Sequence, residues 1–232
     1  MINKNSQIRA KARYLLDDNI FGKDWMKAAF LHIFIDLFIV GVGALLFHLA
    51  IKLAHPLMAL VQDKSVVLYN GIPILFVFIA LLLTCAVIGP FNVGFATVYT
   101  DLARNGGVVR AGKFFSGFKC FVSNFVIGIM YTLQITLWTL FFIVPGVYMA
   151  YSYALAFHVK SDNPDFRWKQ CFDESERLME GNRWRLFKLQ ISHIGWFFVG
   201  LSFVGIGAYW AEPYLYTSTA VFYEEAKAAR YQ

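Results

Sequence analysis

Six apolar runs dominate this amino-acid sequence and restrict the folds that the chain can adopt. Several of them reach or approach the ~20 residues that a helix needs to cross a hydrocarbon core of about 30 Å. Membrane-spanning helices are therefore favoured over a single oversized soluble core. The runs cover residues 26–51, 73–100, 120–143, 146–159, 187–205 and 209–223.

Composition supports the same interpretation. Of the 232 residues, 58% are hydrophobic and only 16% are charged, whereas about a quarter are charged in a soluble domain. We therefore predict an all-α polytopic membrane protein with six transmembrane helices, arranged as three hairpins in one domain, residues 1–232. The fourth and sixth runs are short, so they span only where the lipid is thin, the helices extend further, or neighbours help.

The positive charges lie on one side of the predicted bundle. Such one-sided placement follows the positive-inside rule, so both termini are predicted in the cytoplasm. The formal charge of +6 then indicates contact with anionic membrane lipids rather than with nucleic acid. All 21 lysine and arginine residues except Lys52 and Lys64 fall in residues 1–27, 101–119, 160–188 and 224–231.

Two segments outside the apolar runs are amphipathic. In residues 5–21, apolar side chains recur at helical spacing opposite a charged face, and residues 164–180 repeat this design. Both segments are predicted to lie as helices on the cytoplasmic membrane surface. The alternative is that each forms a solvated helix docked on the bundle.

A short pattern recurs along the chain and predicts an internal repeat. GKDW at residues 22–25 opens the first run, GNRW at 181–184 opens the fifth, and GFKC at 117–120 opens the third. The predicted repeat units are residues 5–104, 105–162 and 163–232, which pack together for mutual burial. Prolines and glycines are predicted to mark a turn or kink in each unit, namely Gly89, Pro90, Pro145, Gly146 and Pro213.

Aromatic residues are predicted to anchor the bundle at the two membrane interfaces. Trp25 and Trp184 fall at the inner interface, and Trp210 falls at the outer one. Glu212, next to Trp210, is expected to be wetted at the outer end of a hairpin. Six tyrosines near the outer turns are interfacial anchors or, alternatively, line a cavity for an amphiphilic ligand: Tyr148, Tyr151, Tyr153, Tyr209, Tyr214 and Tyr216.

An ionisable pair interrupts the first apolar run. His32 and Asp36 are one helical turn apart and therefore share a face of the helix. At 1.5 Å per residue, Asp36 lies about 16 Å beyond Trp25, close to the midplane of a bilayer. An ionisable group at that depth is a candidate for function.

The predicted repeat supplies partners for this pair. Counted from the opening glycines of the two GxxW patterns, Gln190 and His193 stand close to the positions of His32 and Asp36. All four side chains are therefore expected in the inner half of the bilayer. Together with Asn92, which follows the predicted break at 89–90, they form a predicted ligand or proton pathway.

Three roles are open for this cluster. Its polar groups either fix helix packing through hydrogen bonds, or carry a substrate or proton, or hold a metal ion. Metal binding is the least favoured, because His32 and Asp36 give only two ligands and a site needs at least a third. We therefore predict no metal and no cofactor.

The second half of the chain carries a distinctive set of short patterns. They run S-x-x-x-M-x-G from Ser175, F-x-L-x-I-S from Phe187, then Gly195-Trp196, G-I-G from Gly205, Pro213-Tyr214 and Phe222-Tyr223. With these residues, and with Ser6, Ile8, Arg9, Ala12 and Arg13, the chain resembles the DUF975 family of uncharacterised bacterial integral membrane proteins. His193 departs from the aromatic residue expected at its position. The resemblance implies a six-helix bacterial membrane protein, and it implies no activity.

Motifs of soluble enzymes are missing from the sequence. It contains no Walker loop, no GxSxG elbow and no HExxH pattern, so enzymatic activity is not favoured and no catalytic residue is assigned. The leading prediction is a non-enzymatic protein that binds or moves a small amphiphilic or lipid-like molecule in the bacterial envelope. Gly- and Pro-interrupted helices around a polar midplane site are typical of transport folds.

Two further function classes stay open. One is a scaffold or regulatory subunit of another membrane complex, with residues 164–180 as the contact surface for a membrane-protein partner or a second copy. The other is an intramembrane enzyme centred on His32 and Asp36.

Overall fold

The computed structural model describes residues 5–17, 21–61, 66–106, 108–193, 195 and 206–231. Every regular element in these ranges is helical, which confirms the all-α fold class. The second half of the fifth predicted run, up to Gly205, lies outside the described residues. The helices are α1 (Asn5–Leu15), α2 (Lys23–Val61), α3 (Val66–Asn105), a 3₁₀ helix (Ala111–Phe118), α4 (Phe121–Phe141), α5 (Ile143–Ser152), α6 (Ala156–Asp162), α7 (Trp168–Met179), α8 (Arg183–Ile191) and α9 (Ile206–Tyr231).

A long antiparallel hairpin of α2 and α3 forms one side of the molecule. The two helices have 39 and 40 residues, so each is about 60 Å long. They contain the first and second apolar runs and extend beyond both. A hydrogen bond shows that the two helices run in opposite directions: Asp24, at the start of α2, accepts from the backbone N–H of Val109, just after the end of α3 (3.2 Å).

Within the described part of the chain, two helices are long and apolar enough to cross a membrane, by length and composition alone. These are α2 and α4, and only 11% and 17% of their most apolar stretches are buried within the protein. They support the membrane part of the fold prediction. The six-helix transmembrane arrangement stays a prediction.

The prolines that were predicted to mark turns or kinks occupy two kinds of position. Pro90 and Pro213 both lie inside continuous helices, α3 and α9, so neither marks a turn between helices. Pro145 does follow a turn, because α4 ends at Phe141 and the extended Phe142 precedes α5. Apolar content alone did not separate a proline within a helix from a proline at its start.

The glycines of these positions allow close helix packing. A Cβ on Gly89 would lie 2.3 Å from the carbonyl oxygen of Asn124 in α4, and a Cβ on Gly146 would lie 2.2 Å from Oγ1 of Thr139. Gly89 therefore brings α3 against α4, and Gly146 closes the α4–α5 hairpin. The fourth predicted run is not one helix, since α5 and α6 are separated by a turn at residues 153–155.

Both predicted amphipathic helices are docked on the bundle. The apolar face of α1 is buried, and its main packing partner is α9. The apolar face of α7 is buried against α6, α5 and α9. This packing agrees with the alternative of docked helices, and the position of either helix relative to a membrane surface stays a prediction.

Charged residues of the α7–α8 region lie beside the fourth predicted run. The guanidinium of Arg183 stands 4.5 Å from the ring centre of Tyr148, and its Nε donates to Oγ of Ser152 (2.8 Å). Tyr153 stacks on Phe172 of α7 (4.6 Å). These tyrosines therefore contact other helices of the protein, rather than serving only as interfacial anchors.

Candidate functional site

His32 of α2 is almost fully buried, with 1% of the residue exposed. Its ring stacks on Phe95 of α3 with 4.1 Å between ring centres, and Tyr216 of α9 lies 4.8 Å away. Its Nε2 is hydrogen-bonded to the hydroxyl of Tyr99 (2.8 Å). Aromatic rings from two helices therefore hold the imidazole in one orientation.

The other ring nitrogen of His32 faces a carboxylate. Nδ1 lies 3.0 Å from Oε2 of Glu212 in α9. Asp36, one turn after His32, completes the group, because one ligand atom from each of the three side chains lies within 4.8 Å of the others. We call His32, Asp36 and Glu212 the α2–α9 triad.

The crossing of α9 over α2 creates this arrangement. Near the start of α9, the backbone carbonyl of Trp210 and the ring of Tyr214 contact Trp25, whereas the carboxylate of Glu212 contacts His32. The indole Nε1 of Trp25 donates to the backbone carbonyl of Trp210 (2.7 Å).

Two sequence-based placements are wrong as a result. Trp25 and Trp210 lie side by side, so they do not mark opposite membrane interfaces. Glu212 is only 33% exposed at its side chain and bonds to His32, so it does not stand apart at the outer end of a hairpin. Trp184, in contrast, is 65% exposed, and its role as an interface anchor stays a prediction.

The triad concentrates negative charge beside a buried ring. Two carboxylates at this separation repel each other unless a proton or a cation lies between them. Among the described residues, no lysine or arginine forms an ion pair with Asp36 or Glu212. The arrangement is therefore suited to holding a proton or a positive ion.

The five residues of the predicted pathway divide among three places. His32 and Asp36 belong to the α2–α9 triad. Asn92 and Gln190 line a cavity. His193 lies elsewhere, bonded through Nδ1 to the carbonyl of Leu189 (2.7 Å) and through Nε2 to Ser218 (3.2 Å). Whether His193 meets Asp36 was left open by the sequence, and the two do not meet, because the α9 face next to His193 is not the face next to His32.

The cavity has a volume of about 390 Å³ and lies among α3, α4, α5, α6, α8 and α9. Alanine and leucine side chains alternate in its wall with polar groups. Tyr216 forms part of the wall and also contacts His32, so one ring separates the cavity from the triad. The polar lining side chains include Asn92, Tyr131, Tyr151, His158, Gln190 and Thr219.

A second ionic cluster lies where α3, α6 and α9 meet. The Asp162 carboxylate accepts hydrogen bonds from Arg104 (2.6 Å), Tyr223 (2.8 Å) and Lys227 (2.7 Å). Arg104 also donates to Glu224 (2.6 Å). Burial alone would raise the pKa of Asp162, but the hydrogen bonds outweigh it and hold the pKa below its usual value. This cluster ties the end of α3 to α6 and α9.

Sequence reasoning missed Tyr99 and misplaced Glu212. Tyr99 stands in an aromatic stretch where no local pattern distinguishes it from core residues. Tyr216 was predicted as an interfacial anchor or a cavity-lining residue, and it does line the cavity; its contact with His32 was not predicted. Glu212 carried a usable signal. Since α9 begins at Ile206 and not at 209, Glu212 lies a full turn and a half inside an apolar helix, where a carboxylate is a functional candidate.

Comparison with known proteins agrees with the resemblance that the sequence predicted. No curated protein and no solved structure matches this chain. Residues 140–230, which include α5 to α9 and therefore Glu212 and Gln190, match the family described as "Protein of unknown function (DUF975)". The match shows that this C-terminal part of the chain is similar to the DUF975 family, in agreement with the resemblance found in the sequence.

Proposed function

We propose that this chain is an integral protein of the bacterial plasma membrane that binds a small amphiphilic or lipid-like molecule in the cavity between α3 and α9. The observation that supports binding most directly is this cavity, whose wall combines apolar and polar side chains. Its volume of about 390 Å³ falls in the range of small-molecule sites, about 300–1,000 Å³.

Exposed apolar surface supports the membrane part of the proposal. Phe34 is 72% exposed, Leu60 is 69% exposed and Phe141 is 73% exposed. Many other large apolar side chains of α2, α3, α4 and α5 are exposed as well. Exposure of so many large apolar side chains is unfavourable in water, and contact with lipid chains accounts for it.

The chemistry of the cavity favours an amphiphile over a purely polar ligand. Ala96, Ala150 and Leu215 offer apolar contacts, while Gln190 and His158 offer hydrogen-bonding groups. His158 is held by Thr100 through Nδ1 (3.0 Å), which leaves Nε2 as its second polar atom. An acyl or aromatic portion would pack on the apolar wall, and a headgroup would bond to the polar one.

The number of membrane segments and their orientation are part of the same proposal. The apolar runs and the positive charges favour six membrane segments with both termini in the cytoplasm. The fourth segment then consists of α5 and α6 together, and the sixth does not start at the interface opposite Trp25. The docked helices α1 and α7 would then lie on the cytoplasmic side. Contacts of the bundle with membrane lipids are expected along α2, α3 and α4.

A scaffold role through α7 has less support. Cys171, Phe172, Leu178 and Met179, which make up its apolar face, are buried within the protein. The face that a partner would recognise is therefore already occupied.

Filling the cavity tests the binding proposal. Ala154 lines the cavity, so Ala154→Trp places an indole inside it, while Ala59→Trp adds the same group at an exposed position of α2. We expect mass spectrometry of the purified protein to detect a bound amphiphile in the wild type and in the Ala59 variant, and several-fold less in the Ala154 variant.

A second variant keeps the test informative if the first one fails to fold. Gln190→Leu removes an amide from the cavity wall at nearly constant volume, and we expect it to retain less of the same molecule. Equal retention by all variants, or no bound molecule in the wild type, would contradict the proposal.

A further inference from the structure

We propose that the α2–α9 triad, His32, Asp36 and Glu212, binds a divalent first-row transition-metal cation. The inference does not depend on the amphiphile cavity, since the triad lies on the other side of Tyr216. The sequence offered only two ligands on α2, and α9 supplies the third across about 180 residues of chain.

The donor set suits such a cation. An imidazole nitrogen with two carboxylate oxygens is a borderline set that accommodates Zn²⁺, Mn²⁺ or Fe²⁺. Three protein ligands also leave a coordination position open for water or another molecule. Soft ions such as Cu⁺ are disfavoured, because no sulfur atom belongs to the triad.

Tyr99 orients the imidazole for coordination. Its hydroxyl is bonded to Nε2 of His32 (2.8 Å), so Nδ1 is the nitrogen that faces Glu212. When Nε2 carries the proton and donates to Tyr99, the lone pair of Nδ1 points into the triad. Metal-bound histidines commonly have such a second partner, which fixes the tautomer and the ring orientation.

The distances fit a small cation after a minor adjustment. Ligand atoms at about 2.0–2.2 Å from a tetrahedral metal ion lie ~3.3 Å apart. Nδ1 of His32 and Oε2 of Glu212 are already separated by 3.0 Å. The widest separation in the triad is at most 4.8 Å, and rotation of the Asp36 or Glu212 carboxylate closes it.

Charge balance points in the same direction. The neighbours that pack around His32 are Phe95, Tyr99 and Tyr216, none of which offsets two carboxylates. A divalent cation would neutralise both of them in surroundings where unbalanced charge is costly. Protonation is the competing explanation, in which a positively charged His32 pairs with Glu212 and a second proton is held by Asp36.

Metal titration of the full-length protein tests the proposal. The protein is purified without a histidine tag, treated with a chelator, and titrated with Zn²⁺ and separately with Mn²⁺. We expect one ion per chain by elemental analysis and a rise of several degrees in the thermal midpoint at saturation, because ligands that bind the native state stabilise it.

Matched variants locate the site. Glu212→Gln and Asp36→Asn preserve size and remove a charged ligand, so each should lower the affinity at least tenfold. Glu180→Gln, at a carboxylate that is 70% exposed and outside the triad, should leave it unchanged. Tyr99→Phe removes the hydroxyl that positions His32, and we expect a loss of about 10–100-fold.

Several outcomes would overturn the inference. They are no metal binding by the wild type, equal binding by the wild type and both triad variants, or a midpoint that responds to pH and not to either metal. The last result would indicate a proton shared among the three side chains. Because the two triad variants lie on different helices, misfolding of one leaves the other to decide.

Discussion

The carboxylate of Asp162 connects α6 to α3 and α9 where the three helices meet. Its carboxylate is bonded to Arg104 of α3 and to Tyr223 and Lys227 of α9, and its side chain is only 9% exposed. A buried carboxylate with charged donors contributes more than a surface ion pair. Arg104 and Lys227 are 37% and 40% exposed, so water reduces the gain.

Replacement of Asp162 should destabilise the protein and alter its response to acid. We expect Asp162→Asn to lower the free energy of unfolding by about 1–3 kcal/mol, measured by thermal or denaturant unfolding. Because the pKa of Asp162 is lower in the folded chain than its usual 3.8, its contribution is complete above that value. The contribution is lost as the pH falls through the folded pKa.

The variant should therefore lack this acid-dependent part of the stability curve. Glu180→Gln is the control, since its contact with Arg230 is long and exposed (3.5 Å) and should change stability by less than about 0.5 kcal/mol. An Asp162 variant as stable as the wild type at neutral pH would contradict the role of this cluster.

Predictability from sequence also differs from residue to residue. The exceptional character of His32 and Asp36 was visible because charged groups are costly in apolar helices. Their partner Glu212 was not identified, since the crossing of α9 over α2 depends on packing between distant segments. Lys160 illustrates the same limit: its ammonium is buried and donates to Ser123 and to the carbonyls of Pro164 and Phe166, and no sequence pattern indicates these contacts.

At the scale of elements, close backbone contacts hold the 3₁₀ helix against α3. A Cβ on Gly117 would lie 2.2 Å from the carbonyl oxygen of Pro90 and 2.7 Å from the nitrogen of Gly94. Neither neighbour is a flexible side chain that can move aside. Gly117 therefore sets the distance between the two elements.

Replacing Gly117 with a larger residue should push the 3₁₀ helix away from α3. We expect Gly117→Ala to reduce stability by about 1–3 kcal/mol, the usual cost of overpacking. Gly112→Ala lies in the same 3₁₀ helix with no atom within 4 Å of the new Cβ, so it should have little effect. Unfolding measurements on the two variants check this, and equal stabilities would contradict the close packing.

The helices themselves were partly predictable. Apolar runs predicted α2 and α4, and helical spacing predicted α1 and α7, because these patterns reflect burial and solvent exposure directly. The interruption at residues 153–155 was not predicted, and the sequence left a turn and a kink open at Pro90, which lies inside α3. A proline removes one hydrogen bond from a helix, and packing such as that of Gly89 on α4 offsets the loss.

At the scale of the whole molecule, the distribution of apolar surface is the main feature. The α2–α3 hairpin and α4 expose large apolar side chains, whereas α7 and the C-terminal half of α9 carry ion pairs and buried apolar faces. This division favours lipid around the first group and water near the second. The central proposal is that the chain spans a membrane, with the ionic cluster of Asp162 on the side that the positive charges of the sequence predict to be cytoplasmic.

Cysteine labelling in cells tests this claim most directly, in a background whose three native cysteines are replaced by alanine. Lys64, outside the described residues, is predicted on the outer side, and Lys169 is exposed beside the ionic side of the molecule. An impermeant reagent should label Lys64→Cys in intact cells and Lys169→Cys only after permeabilisation. The reverse pattern, or labelling of both positions only after permeabilisation, would contradict the account.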